Sequence, residues 1–267
     1  MVAKSPVVVR RVLAFAGDAA LEIVVPAGLV ALWWAASEHS TSLYYPPLST
    51  ILSTLRHFWL FAHFGSDAVP TLVHLAIGFL IAVGVGIAAG TLLGLSPLLA
   101  EVVAPVLEFM RAVPVAAVLP AVLLVLGVGP AFQVTVIAFG AVWPVLLNTM
   151  DGVRALDPIL DDVGRSFHLP ARVRLLRVTL PAAMPNIVAG VRTAISIAIS
   201  VVIFSELMGA TSGIGYQILQ AQDTFAIPQV WAGVILLGIL GYLLNVAFRG
   251  VEHVLLRQHR GMRETAR

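Results

Sequence analysis

The stretch DPILDDVGRSFHLPARVRLLRVTLP, residues 157–181, holds the densest charge in the chain and lies between two apolar runs that are each long enough to cross a bilayer. Asp157 followed by Pro158 reads as a helix start: the carboxylate can accept from orphan amides of the first turn, and a proline at the first helical position gives up no hydrogen bond. From there Ile159, Val163 and Phe167 recur every four residues on one face, while Asp161, Asp162 and Arg165 take the others. Leu169 and Pro170 end that helix, because a residue before proline is pushed out of the helical region. A second short helix is expected over residues 171–178, with Arg172, Arg174 and Arg177 set among Val173, Leu175, Leu176 and Val178. Leu180, Pro181 and Pro185 should then turn the chain back toward the membrane. Two amphipathic helices meeting at a corner either rest on anionic headgroups or dock a partner.

Composition sets the surroundings of this element. Of 267 residues, 59% are hydrophobic and 11% charged, with a mean hydropathy of +0.97. Soluble domains carry roughly 25% charge, so the sequence predicts an all-α polytopic membrane protein. A formal net charge of +2 and a pI near 9.4 could suggest an anionic partner, but read as arginines that mark cytoplasmic loops. Cysteine is absent, which removes disulfides, thiolate metal sites and a thiol nucleophile. The single lysine is Lys4, and no GxxxxGK[ST] loop occurs, so any ATP that drives this protein is hydrolysed on another chain.

Six spans are expected. An apolar run at residues 19–36 has the flanks of either a signal peptide or a first helix; Trp33 and Trp34, suited to the bilayer interface, favour a retained helix with its N-terminus inside. Leu48, Ile51, Leu52 and Leu55 then mark a short amphipathic helix on the outer surface. The second span, residues 69–95, carries Gly78, Ala82, Gly86, Gly90 and Gly94 every four residues, a stripe that lets another helix backbone approach closely. The third, residues 98–126, holds Pro105, Pro114 and Pro120 and is expected to kink or break. The remaining spans fall at about residues 131–150, 186–209 and 229–248, with a loop at 210–228. With both termini inside, Arg56 alone lies outside and Arg111 and Arg192 lie within spans; the other thirteen of the 16 lysines and arginines are cytoplasmic.

Ionisable residues within spans are functional candidates by default. Glu108 and Arg111, three apart on one helix, can pair with each other and either line a polar path or form a structural pair at a boundary. Arg192 lies early in the fifth span, within reach of the cytoplasmic side or the charged interval, and Glu206 lies near the outer end of the same helix. The seven histidines include no pair at the i, i+4 spacing of a helical metal site, and no serine has a base partner. An ion-coupled secondary transporter is the alternative reading; it predicts mid-membrane carboxylates and an internal repeat, and neither is evident here.

The charged interval resembles the cytoplasmic EAA loop of permease subunits of ATP-binding-cassette importers, whose pattern is Glu-Ala-Ala, three residues, Gly, nine residues, Ile-x-Leu-Pro. Counted back from Leu180 and Pro181, Val178 takes the Ile position, His168 the Gly position, and Asp162, Val163 and Gly164 the Glu-Ala-Ala. The departure lies at His168, where glycine would supply a left-handed corner. Pro46-Pro47, Gly78-Phe79, Gly86-Ile87, Arg111 to Pro114, Asn148 with Gly152 to Arg154, Gly190 to Arg192, Glu206, and Gly213 to Tyr216 resemble, in order, the nitrate, sulfonate and taurine branch of these permeases.

That resemblance implies a type I importer permease fold of six transmembrane helices, both termini cytoplasmic, in the bacterial inner membrane. Residues 1–18 would be a cytoplasmic segment, 19–256 one transmembrane domain with the coupling loop at 151–184, and 257–267 a basic tail. It implies a second copy of the chain, two ATPase subunits that hold ATP and Mg, a periplasmic or lipid-anchored binding protein, and a small, anionic solute. Cofactors in the chain itself, catalytic residues, metal sites and nucleic-acid contacts are not implied. Ile159, Asp161, Asp162, Val163, Gly164, Arg165, Ser166, Phe167 and His168 would meet the ATPase, and Glu108, Arg111, Arg192 and Glu206 would line or gate the path.

Overall fold

The computed structural model describes residues 24–157, 159 and 166–264. Every regular element among them is helical: α1 (Val24–Ser37), α2 (Leu48–Thr54), α3 (Val69–Leu95), α4 (Pro97–Ala112), α5 (Val115–Leu126), α6 (Pro130–Arg154), α7 (Ala171–Gly209), α8 (Ile214–Asp223) and α9 (Ile227–Glu264). Four helical stretches, Phe64–Leu95, α6, α7 and Ile227–Val254 of α9, are long and apolar enough to cross a membrane, and α4 with α5 together passes the same test as a pair bent by 93°, the shape of a broken span or a re-entrant loop. The chain is therefore a multi-pass membrane protein. The predicted first span falls partly on residues outside those described; its remainder is α1.

The small-residue stripe of α3 builds the centre. A Cβ at Gly78 would sit 2.7 Å from Ile137, at Gly86 2.7 Å from Val145, at Gly90 2.4 Å from the Leu146 carbonyl oxygen, and at Gly94 2.6 Å from Val153. Without side chains in the way, α3 lies directly on α6, where packing rather than water exclusion holds membrane helices together. Both series ascend, so α3 and α6 run in the same direction. Across the other face of α6, Gly152 meets Ala183 and Asn186, Gly190 meets Pro144 and Asn148, and Gly209 meets Phe132. That descending order makes α7 antiparallel to α6. Phe132, Val136, Ile137, Ala141 and Val145 of α6 are buried between α3 and α7.

Proline places the bends. Val113 and Pro114 both adopt extended backbone angles, so the expected break in the third span lies between α4 and α5. The turn expected at Leu180 and Pro181 is absent. The helix instead runs unbroken from Ala171 through a π-helical turn at Leu175–Thr179, with the Leu180 amide bonding the Leu175 carbonyl. Such a turn inserts one residue and resettles the ladder just ahead of Pro181 and Pro185, which cannot donate to it. The loop expected at 210–228 is also corrected: it contains α8, whose Ile214, Ile218 and Ala221 form a buried stripe at i, i+4 and i+7. The last helix continues beyond the predicted span, to Glu264.

Candidate functional site

At the end of the bundle away from the charged interval, two buried acids hold the start of α8. Gly213, at φ +122, is the residue before its first turn, and neither it nor the following residues offer a capping side chain. Three successive amides are satisfied instead from other helices: Gly213 N–H donates to Asp67 Oδ1 at 3.0 Å, Ile214 N–H to Thr71 Oγ1 at 3.0 Å, and Gly215 N–H to Glu206 Oε2 at 2.8 Å. The Thr71 hydroxyl lies 2.6 Å from Glu206 Oε1 and 3.0 Å from the Asp67 carbonyl, and donates to one at a time. Ser66 donates to Asp67 Oδ2 at 2.6 Å. Asp67, Thr71 and Glu206 are almost wholly buried. Carboxylates suit this place because a helix N-terminus carries partial positive charge. The cluster fastens α8 to the entry of α3 and the exit of α7.

At the opposite end the Asp157 carboxylate accepts from the Ile159 amide at 2.9 Å, the cap read from its sequence. Asp161, Asp162, Val163, Gly164 and Arg165 lie outside the described residues. On either side of them Ile159 is 66% and Phe167 76% exposed, and Ser166 is exposed. His168 holds φ +53, the left-handed conformation that glycine would supply at this position. Among non-glycine residues histidine is one of those that enter it more readily. The corner is therefore made despite the substitution.

Residues 82–260 match the family described as "Binding-protein-dependent transport system inner membrane component". The chain belongs to this family. A Bacillus subtilis protein named as an aliphatic sulfonates transport permease is 32% identical over 237 residues, covering 88% of this chain and 86% of its own. The taurine transport system permease of Escherichia coli is 27% identical over 246 residues, 90% of each. An inward-facing methionine ABC transporter structure shares the fold, with a TM-score of 0.59 at 19% identity, over 71% of this chain and 94% of that one. The type I importer permease fold and the nitrate, sulfonate and taurine branch inferred from the motifs thus stand.

Within this permease the other candidate residues fall apart from one another. Glu108 and Arg111 occupy the end of α4, both exposed, and no ion pair joins them among the described residues. Arg192 pairs with Glu252 of α9. The descending register between α7 and α9 places these two side by side, which spacing within α7 alone could not reveal. Asp67 and Thr71 were not singled out by sequence reading. Their i, i+4 spacing just before the second span was the available signal, together with an α8 start that lacks a capping residue of its own.

Proposed function

We propose that this permease forms half of a translocation path, paired with a second copy of itself, in an ATP-driven importer of a small sulfonate-type anion. The names of the sulfonate and taurine relatives support that solute class. The chain would lie in the bacterial inner membrane with both termini cytoplasmic, receive solute from a periplasmic or lipid-anchored binding protein, and hold no cofactor of its own. Two ATPase subunits would bind ATP and Mg. Ile159, Asp161, Asp162, Val163, Gly164, Arg165, Ser166, Phe167 and His168 would dock in a groove of the ATPase, so that its closure rocks α7 through the continuous helix from Ala171. Glu108, Arg111 and Arg192 would lie along the path and Glu206 would set its outer end.

The observation that carries the coupling role is the left-handed corner at His168, flanked by Phe167, which is largely exposed. Water contact on Ile159 and Phe167 costs roughly 25 cal/mol for each Å² left open, which a partner groove recovers. Reconstitution with the cognate ATPase and binding protein tests it. Reversing the charges of Asp162 and Arg165 should leave ATP hydrolysis running while uptake falls, and unchanged coupled uptake would refute the docking role. Changes at 157–170 should also lose the ATPase on copurification.

A further inference from the structure

One face of α7 is polar where the outward faces of its neighbours are not. Thr193, Ser196 and Ser200 are exposed at i, i+3 and i+7, so their hydroxyls share one side of the helix. With Arg192, Ile197 and Val201 they line an open groove of about 510 Å³. The corresponding surfaces of α3 and α9 present Ile77, Leu80, Val234 and Leu243. Depth is fixed by the neighbouring helix: at its two ends the groove lies level with Gly140, which meets Val201, and with Asn148, which meets Gly190. α6 runs from Pro130 to Arg154, so the groove sits at its middle. Ser196 is about 15 Å along the axis from Glu206, half the thickness of a bilayer core.

We infer that this groove is a binding site for a small oxyanion in transit; the inference rests on the permease reading above. Arg192 supplies the charge. Its guanidinium has five N–H donors, only one nitrogen is engaged by Glu252, and the side chain remains 52% exposed. The Thr193 hydroxyl donates to the Ala189 carbonyl at 3.2 Å and the Ser200 hydroxyl to the Ser196 carbonyl at 3.2 Å. Both are thus satisfied when the groove is empty and can rotate toward an anion when it is filled. Ile197 and Val201 offer an apolar strip for a short alkyl group. Glu252 sets the strength: by holding one guanidinium nitrogen it competes with the anion and keeps the site from becoming a trap, and a path must bind weakly enough to release.

Because the chain has no cysteine, single thiols report on this groove without background. Thr193→Cys, Ser196→Cys, Ser200→Cys and the control Leu80→Cys are made in the full chain, assembled with its partners in membranes. Each is treated with an anionic sulfonatoethyl or a cationic trimethylammonioethyl methanethiosulfonate, and labelling is read from the mass of this chain. The three groove thiols should react while the Leu80→Cys thiol stays protected. The anionic reagent should be favoured by about tenfold relative to its rate on a free thiol. Adding Arg192→Gln should abolish that preference and Arg192→Lys should keep it. Groove thiols as inert as the control would show the face packed on lipid or on the second copy, and overturn the site. A preference absent in the native background, or unmoved by Arg192→Gln, would overturn the anion assignment. Labelling requires neither ATP nor solute, so failure of the coupled-uptake test would leave these rates standing.

Discussion

Phe225 stands where a helix end calls for glycine. The Ala226 amide bonds the Ala221 carbonyl at 2.8 Å and the Phe225 amide bonds the Gln222 carbonyl at 3.1 Å, the paired bonds that close a helix through a left-handed residue. Phe225 supplies that residue at φ +55, with its ring 61% exposed. A side chain in this conformation costs about 1–2 kcal/mol. Phe225→Gly should therefore raise the unfolding temperature of the purified permease, and an unchanged or lower temperature would show that the ring makes up the difference. Glu206 makes the opposite case, a side chain that its surroundings demand. Glu206→Gln can still accept from the Gly215 amide and donate to the Thr71 hydroxyl, which then turns to the Asp67 carbonyl. Glu206→Leu strands a buried amide, at about 1–3 kcal/mol. Thermal unfolding in detergent should leave Glu206→Gln near the native permease and place Glu206→Leu well below it.

At the scale of elements, the α3 stripe separates glycines that are packed from glycines that are not. A Cβ at Gly90 would come within 2.4 Å of a backbone oxygen of α6, which cannot rotate aside, whereas one at Gly84 would have nothing within 4 Å. Gly90→Ala should destabilise by about 1–3 kcal/mol through overpacking. Gly84→Ala should be neutral or gain about 0.5–1 kcal/mol of helix propensity. Comparing the melting temperatures of the two variants checks both at once. The stripe was legible because its period of four is a property of one helix; its partner α6 was not, since nothing in residues 69–95 says which surface arrives. The same divide explains Arg192, whose place in a span was legible and whose partner Glu252 lies 60 residues on. α8 was hidden by its glutamines: Gln217, Gln220 and Gln222 dilute the apolar stripe that packs it. The π-turn at Leu175–Thr179 left no local sign beyond the prolines that follow it, and those alone suggested a break.

For the whole molecule, helix directions decide what the bent pair does. Gly78 meets Ile137 and Gly94 meets Val153, so α3 and α6 enter from the same end and leave at the same end. The 34 residues between Leu95 and Pro130 must then carry the chain back across. A re-entrant loop would return it to the side it left and make α3 and α6 antiparallel, which these contacts forbid. α5 shows the return directly: Val115 packs at Gly140, and Leu123 packs at Gly209 beside Phe132, so α5 runs against α6 toward the end where α6 begins. In the proposed orientation, with the arginine-rich loops cytoplasmic, that end faces outward. In the cysteine-free chain, Ser96→Cys and Val128→Cys should consequently fall on opposite sides of the membrane. An impermeant thiol reagent applied to intact cells should label Val128→Cys, whose native side chain is 60% exposed, and reach Ser96→Cys only after the membrane is opened. Equal labelling of both in intact cells would mean that α4 and α5 do not cross, and with them would fall the parallel packing on which the rest of the bundle is built.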